Sequence, residues 1–148
     1  MNESNEGNPV VDQHVLSTRL NALDEYLAEL KAFARWSREE YLADPHRHHL
    51  AERFLHLASE SVLDMAQHVI SDMGYRQPSD YRDSMEVLRE EGILGDDLAE
   101  RLKGWMGFRN ILVHLYLDID HSLTYDVICN ELGDLEEFKE RMGRLLAE

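Results

Sequence analysis

The sequence predicts an all-α protein, an up-and-down bundle of about five helices. Three observations carry that expectation. Leu16, Leu20, Leu23, Leu27, Leu30 and Ala34 recur at spacings of 4, 3, 4, 3 and 4, the narrow apolar seam of one helix. Leu50, Phe54, Leu55, Leu57, Ala58, Val62, Met65, Val69 and Ile70 spread around most of a second helix, as in a central, buried one. No stretch shows the period of two that a half-buried strand needs.

Residues 1–11 are polar and acidic, without the basic and apolar regions of a signal peptide, and read as a flexible N-terminal extension. Residues 12–148 then form one helical domain, long enough to bury a core. Asp12 suits the N-cap of the first helix. Arg35 to Ala43 holds Trp36, Tyr41 and Leu42 among charges, which reads as a loop or a frayed helical extension. Asp44-Pro45 is a start signal, a capping acid before Pro at the first helical position. The second helix runs from there to about Asp72, and Gly74 stops it. Pro78-Ser79 opens a short third helix through Tyr81, Met85 and Leu88, closed at Gly92. Asp96-Asp97 favours the start of a fourth by charge. Leu98, Leu102, Trp105, Phe108 and Leu112 carry it forward until Asp118-Ile119-Asp120 breaks the pattern. A last helix spans about Ser122 to Leu146, where Gly133 and Gly143 each cost about 1 kcal/mol against Ala.

The fourth helix ends on the stretch with the most chemistry, Phe108 to Tyr116. Arg109, Asn110, His114 and Tyr116 are set among Ile111, Leu112, Val113 and Leu115. On a helix Asn110 and His114 stack at i,i+4, and Arg109 and Tyr116 align at i,i+7. Arg suits bidentate phosphate contact, and His exchanges a proton near neutral pH. A phosphate clamp beside a proton shuttle is the minimum equipment for cleaving RNA through its own 2′-OH. The same residues also admit a plainer reading, a structural Arg and His satisfied inside a bundle.

The net charge of -15 argues against a general nucleic-acid binder. The charge is uneven: Glu100 stands against Arg101, Lys103 and Arg109 between Leu98 and Tyr116, whereas Asp118 to Glu148 is strongly acidic. One RNA segment can still be held, with strong salt dependence, and the acidic surplus suits a basic partner protein. The lone Cys129 allows no intrachain disulfide and fits a cytoplasmic setting. No apolar run approaches the roughly 20 residues of a membrane span.

Arg109, four residues, His114, one residue, Tyr116 resembles the R-x4-H-x-Y signature of the HEPN superfamily. Within it the chain resembles the HepT-type toxins, which pair with a minimal nucleotidyltransferase antitoxin. Similar stretches extend the resemblance from about Leu16 to Met142: Tyr41-Leu42-Ala43-Asp44-Pro45, Glu60 and Asp64, Gly74-Tyr75-Arg76-Gln77-Pro78, Gly107-Phe108-Arg109-Asn110 and the Asp118-x-Asp120 exit. The resemblance implies a HEPN-like homodimer whose two Arg/His pairs line one cleft. It implies a metal-independent endoribonuclease toxin of a type II/VII-like toxin–antitoxin pair, acting on RNA such as tRNA or mRNA without a cofactor. Arg109 would then hold the scissile phosphate, His114 would act as general acid or base, and Asn110 would orient either. Tyr116 would be the tyrosine that the partner modifies with AMP. The competing reading is a non-catalytic HEPN module that binds a nucleotidyltransferase or a nucleotide. The polar N-terminal extension and the histidine-rich start of helix two depart from the family pattern.

Three further clusters carry their own alternatives. Glu60, Asp64 and His68 lie on one face at i, i+4 and i+8. They read either as a divalent-cation set or, by preference, as a polar stripe in which Glu60 and Asp64 orient Arg109. His46, His48, His49 and His56 with Arg47 and Arg53 read first as a solvated face, then as an RNA-facing patch, and last as a zinc site. No metal site is expected overall. Gly104-Trp105-Met106-Gly107 matches the G-x-x-G of KH domains, but those need a sheet. Small residues admitting a neighbouring helix explain these glycines better.

Overall fold

The computed structural model describes residues 9–115 and 117–147, and among these it contains seven α-helices and no strand. They are α1 (Gln13–Phe33), α2 (Arg38–Ala43), α3 (Pro45–Asp72), α4 (Tyr81–Glu90), α5 (Asp96–His114), α6 (His121–Asn130) and α7 (Leu132–Ala147). The all-α bundle is as expected, with two short helices beyond the five.

Helix α1 begins where Asp12 accepts from the Val15 N–H at 3.0 Å. Leu16, Leu20, Leu23, Leu27 and Leu30 are buried, and the seam closes on Phe33 rather than Ala34, which is the C-cap. Each such leucine removes enough apolar surface from water to stabilise the fold by about 1.5–3 kcal/mol.

The stretch expected as loop contains α2. Ser37 Oγ accepts from the Glu40 N–H at 3.1 Å, and the Glu40 carboxylate accepts from the Ser37 N–H at 3.0 Å. This reciprocal box satisfies two orphan donors and closes a six-residue helix that buries Tyr41 completely.

Helix α3 is the central one, packed against α1, α2, α4, α5 and α6. Asp44 caps it through the His46 N–H at 2.9 Å, with Pro45 at its first position. Its buried set includes Ala51, Leu55, Ala58, Val62, Met65, Val69 and Ile70, while Leu50 is half exposed. Gly74 at φ 70° ends it: the Gly74 N–H bonds Ser71 O and the Tyr75 N–H bonds Ile70 O. That closure needs a left-handed residue, which only glycine adopts cheaply.

Helix α4 starts at Tyr81, two residues later than Pro78-Ser79 suggests, because Asp80 is its cap. Ser79 instead donates to the Asp83 carboxylate, as does Arg76 with two bonds of 2.8 and 2.9 Å. The helix expected over Ser122 to Leu146 is divided. Asp120 caps α6 through Ser122 and Leu123, and the single non-helical residue Glu131 (φ −121°) separates it from α7. Gly133 is not the breaking point, since it lies inside α7.

The glycines of α5 divide in the same way. A Cβ on Gly107 would stand 3.2 Å from the Arg82 guanidinium of α4, so a neighbour does approach closely. A Cβ on Gly104 would meet nothing within 4 Å, so no neighbour among the described residues explains it. No helix among the described residues is long and apolar enough to cross a membrane.

Candidate functional site

The last two turns of α5 lie against the middle of α3 and the start of α4. Apolar Met106 and Leu112 fix this end of the helix in the core. Their spacing places Arg109 on the boundary, facing α3, with its side chain only 13% exposed. Its Nε donates to the Glu60 carboxylate of α3. Its Nη1 donates to Asn110 Oδ1 at 3.1 Å, and the guanidinium lies 4.9 Å from the centre of the Tyr81 ring of α4. Three elements thus hold one cation. An arginine this covered requires such pairing, because an uncompensated charge in low dielectric is expensive.

The network continues along α3. His56 Nε2 lies 3.5 Å from the same Glu60 oxygen, and Arg53 Nη1 lies 3.2 Å from His56 Nδ1. An arginine can only donate, so Nδ1 accepts and the ring proton sits on Nε2, toward Glu60. Asp64 does not join: its Oδ2 is 3.8 Å from Arg19 Nε of α1. Glu60, Asp64 and His68 therefore do not converge as a cation set.

His114 is the final residue of α5, and its side chain is exposed. Five residues on from Arg109, it is displaced about 140° around the axis and about 7.5 Å along it. Among the described residues no hydrogen bond or ion pair joins the two. His114 instead shares an exposed surface with Asn110, Ile111, Leu115 and the 84%-exposed Leu117. Tyr116 lies outside the described residues.

A cleft of about 280 Å³ opens beside this helix end, lined by His49, Glu52, Arg53, His56, Leu112, Leu117 and Ile119. It joins the histidine-rich start of α3 to the exit from α5.

That histidine-rich start is the solvated face expected from the sequence only in part, at His46, His49 and Arg53. His46 is exposed, but Arg47 stacks 3.7 Å over the Trp36 ring and donates to Glu40 O. His48 is buried, its ring stacked on His121 of α6 at 3.9 Å. Burial and the neighbouring His121 push the His48 imidazole below its ordinary value. Glu52, also buried, accepts from His121 Nδ1 at 2.6 Å and from Thr124 Oγ1 at 2.9 Å. Thr124 in turn meets the Tyr41 hydroxyl at 2.7 Å, and burial raises that phenol's pKa well above its ordinary value. Sequence reasoning missed Glu52, Thr124 and His121. The signal available was His48-His49-x-x-Glu52, which on a helix places all three within reach of one point.

The chain is thus a small helical bundle that carries a caged arginine and an exposed histidine at the end of one helix. The family described as "Ribonuclease HepT-like" matches residues 23–142. The chain belongs to that family. It is 33% identical over 61 residues to the "mRNA nuclease HepT" of Shewanella oneidensis, 41% of this chain and 46% of that one. It is 29% identical over 118 residues to the "tRNA nuclease HepT" of Aphanizomenon flos-aquae, 80% of each. The matches to the first two curated relatives span only about half of each relative, 46% and 55%. The cytosolic protein YutE of Bacillus subtilis superposes with a TM-score of 0.80 at 25% identity, covering 93% of this chain and 92% of that one. The tri-AMPylated Shewanella oneidensis HEPN toxin in complex with MNT antitoxin shares the fold, with a TM-score of 0.80 at 20% identity over 88% of this chain and 97% of that one.

Proposed function

We propose that this protein is an endoribonuclease toxin that cleaves RNA without a metal in the reacting step. The observation that carries the reading is the caging of Arg109. Glu60, Asn110 and Tyr81 hold its guanidinium from three elements. Glu60 and Asn110 take one donor each, and the remaining N–H groups of the fork are left for a phosphate. A cation fixed before the substrate arrives needs no reorganisation as charge develops on the phosphoryl oxygens.

In this reading the 2′-OH of the substrate attacks the adjacent phosphorus, and the bond to the 5′-oxygen breaks. His114 takes the proton of the 2′-OH or returns one to the leaving oxygen, and a 2′,3′-cyclic phosphate results. Asn110 steadies the Arg109 fork and lies one turn from His114.

Within one chain Arg109 and His114 are separated, so a site built from both needs a second copy or substrate between them. The exposed Ile111, Leu115 and Leu117 beside His114 supply apolar surface for a two-fold contact. We assign that face to a homodimer that sets two Arg/His pairs about one cleft. The two curated relatives above are named mRNA and tRNA nucleases, which supports RNA as the substrate class.

The partner in this reading is a minimal nucleotidyltransferase antitoxin that adenylylates Tyr116. The tri-AMPylated toxin–MNT complex of Shewanella oneidensis supports it. One specific observation favours the competing reading, a non-catalytic module that binds such a partner. The net charge of -15 repels RNA and suits a basic protein surface. Cleavage of RNA by the purified chain, lost in Arg109→Ala and His114→Ala, separates the two.

A further inference from the structure

We propose that His48, His49 and Glu52 of α3 bind one first-row transition-metal dication, with zinc the best fit, at a site distinct from Arg109 and His114.

Two buried groups mark the place, an imidazole nitrogen with no partner and a carboxylate held by a histidine and a threonine rather than by a permanent cation. Glu52 is a carboxylate only 5% exposed, and among the described residues no lysine or arginine pairs with it. His48 is 6% exposed, and its Nδ1 has no hydrogen-bond partner. A buried acid without a permanent cation and a buried imidazole nitrogen with nothing to bond are each costly. They face one another across one turn of α3. His49 completes the set, its ring 4.5 Å from that of His48 and its Nδ1 4.0 Å from Glu52 Oε1. The ligand atoms of His48, His49 and Glu52 all lie within 4.8 Å of one another. Around tetrahedral zinc, with bonds of about 2.0–2.1 Å, donors stand about 3.3 Å apart. The difference is a side-chain adjustment, and His49 is free to make it, being 66% exposed.

The donor set selects the metal. Two neutral imidazoles and one carboxylate suit zinc, and cobalt or nickel as substitutes, rather than calcium or magnesium, which prefer oxygen throughout. Three protein ligands leave a fourth position for water. The residues behind Glu52 match what such a ligand requires. His121 Nδ1 and the Thr124 hydroxyl both bond Glu52 Oε2, which orients the carboxylate and leaves Oε1 toward His49. His121 and Thr124 lie on α6, so the ion would tie α3 to α6 and steady the exit from α5 between them.

The test uses the full-length chain stripped by chelator and titrated with zinc against a fluorescent competitor. The expected result is one equivalent bound with a rise in Tm. Affinity should fall at least about tenfold in His49→Ala, whose side chain is largely exposed, and in Glu52→Gln and His48→Gln. His46→Ala, on the exposed side of the helix, should bind as wild type does. Cobalt should give visible d–d bands that His49→Ala lacks. Arg109→Ala should bind zinc normally, so a failure of the nuclease reading leaves this result untouched. No stoichiometric binding by the wild type, or binding undiminished in both His49→Ala and His48→Gln, overturns the proposal.

Discussion

Arg109 and Glu60 are joined across the interface of α5 and α3, guanidinium Nε to carboxylate, although 49 positions separate them in the chain. Glu60 fixes the direction of the fork from behind, and the rest of Arg109 lies between Asn110 and the Tyr81 ring. Every functional consequence assigned to Arg109 depends on that anchor.

Glu60→Gln keeps the shape of the anchor and removes its charge. Because both side chains are partly covered, it should destabilise the fold by about 1–3 kcal/mol, and kcat for RNA cleavage should fall about 10- to 100-fold with KM changing less. Urea unfolding and steady-state cleavage measure the two effects. A variant that loses stability but keeps wild-type kcat would show that Glu60 supports only the fold.

The face around His114 should hold two copies together. Light scattering at micromolar concentration should give a dimer, and Leu115→Glu or Leu117→Glu should give a helical monomer with little cleavage. A monomeric wild type that is fully active contradicts the paired-site arrangement.

Tyr116 stands two positions after His114 and seven after Arg109 in the sequence. In the regulation proposed above, an AMP group on Tyr116 supplies a phosphodiester charge that pairs with Arg109 and excludes RNA, as phosphorylation does at Arg-paired sites. Co-expression with a neighbouring nucleotidyltransferase should add whole AMP masses to Tyr116, and Tyr116→Phe should escape neutralisation. Neutralisation of Tyr116→Phe as complete as for wild type would exclude modification as the silencing step.

Acid should loosen the α4 end of the site. Arg76, then the Ser79 N–H, hold the Asp83 carboxyl well below the usual range, and Arg89, then Lys103, hold Glu86 down to about 2. Folded-state pKa values lie below the unfolded ones, so the unfolded chain takes up protons first. The stabilisation is present above the unfolded values and is lost as pH falls from about 4 toward 2. Thermal melts should be flat near neutrality and drop through that window. In Asp83→Asn the neutral Tm should be lower and the acid drop shallower, and an unchanged acid slope would refute the assignment.

The long helices were legible because their apolar spacing is a local signal: Leu16 to Leu30 for α1, and the encircling set of α3. Helix α2 was equally local, since Ser37-x-x-Glu40 spells its capping box, but the charges around Trp36 and Tyr41 obscured it. The break at Glu131 left no such mark. Glu131 is an ordinary helix former, and the glycine cost two residues on, at Gly133, falls inside α7. In the site, the acids of α3 were visible as a stripe and Glu60 was expected beside Arg109, but only the fold turns Asp64 away to Arg19. The pairing of Glu52 with His121 spans 69 positions, and no periodicity carries that information.

RNA cleavage by Arg109 and His114 is the proposed activity. The direct measurement is single-turnover cleavage of end-labelled RNA by the purified chain in EDTA, with 3′-end analysis of the product. We expect a 2′,3′-cyclic phosphate from the wild type, and a rate at least about 100-fold lower in Arg109→Ala and in His114→Ala while their helical circular dichroism is retained. Wild-type rates in both variants would contradict the account.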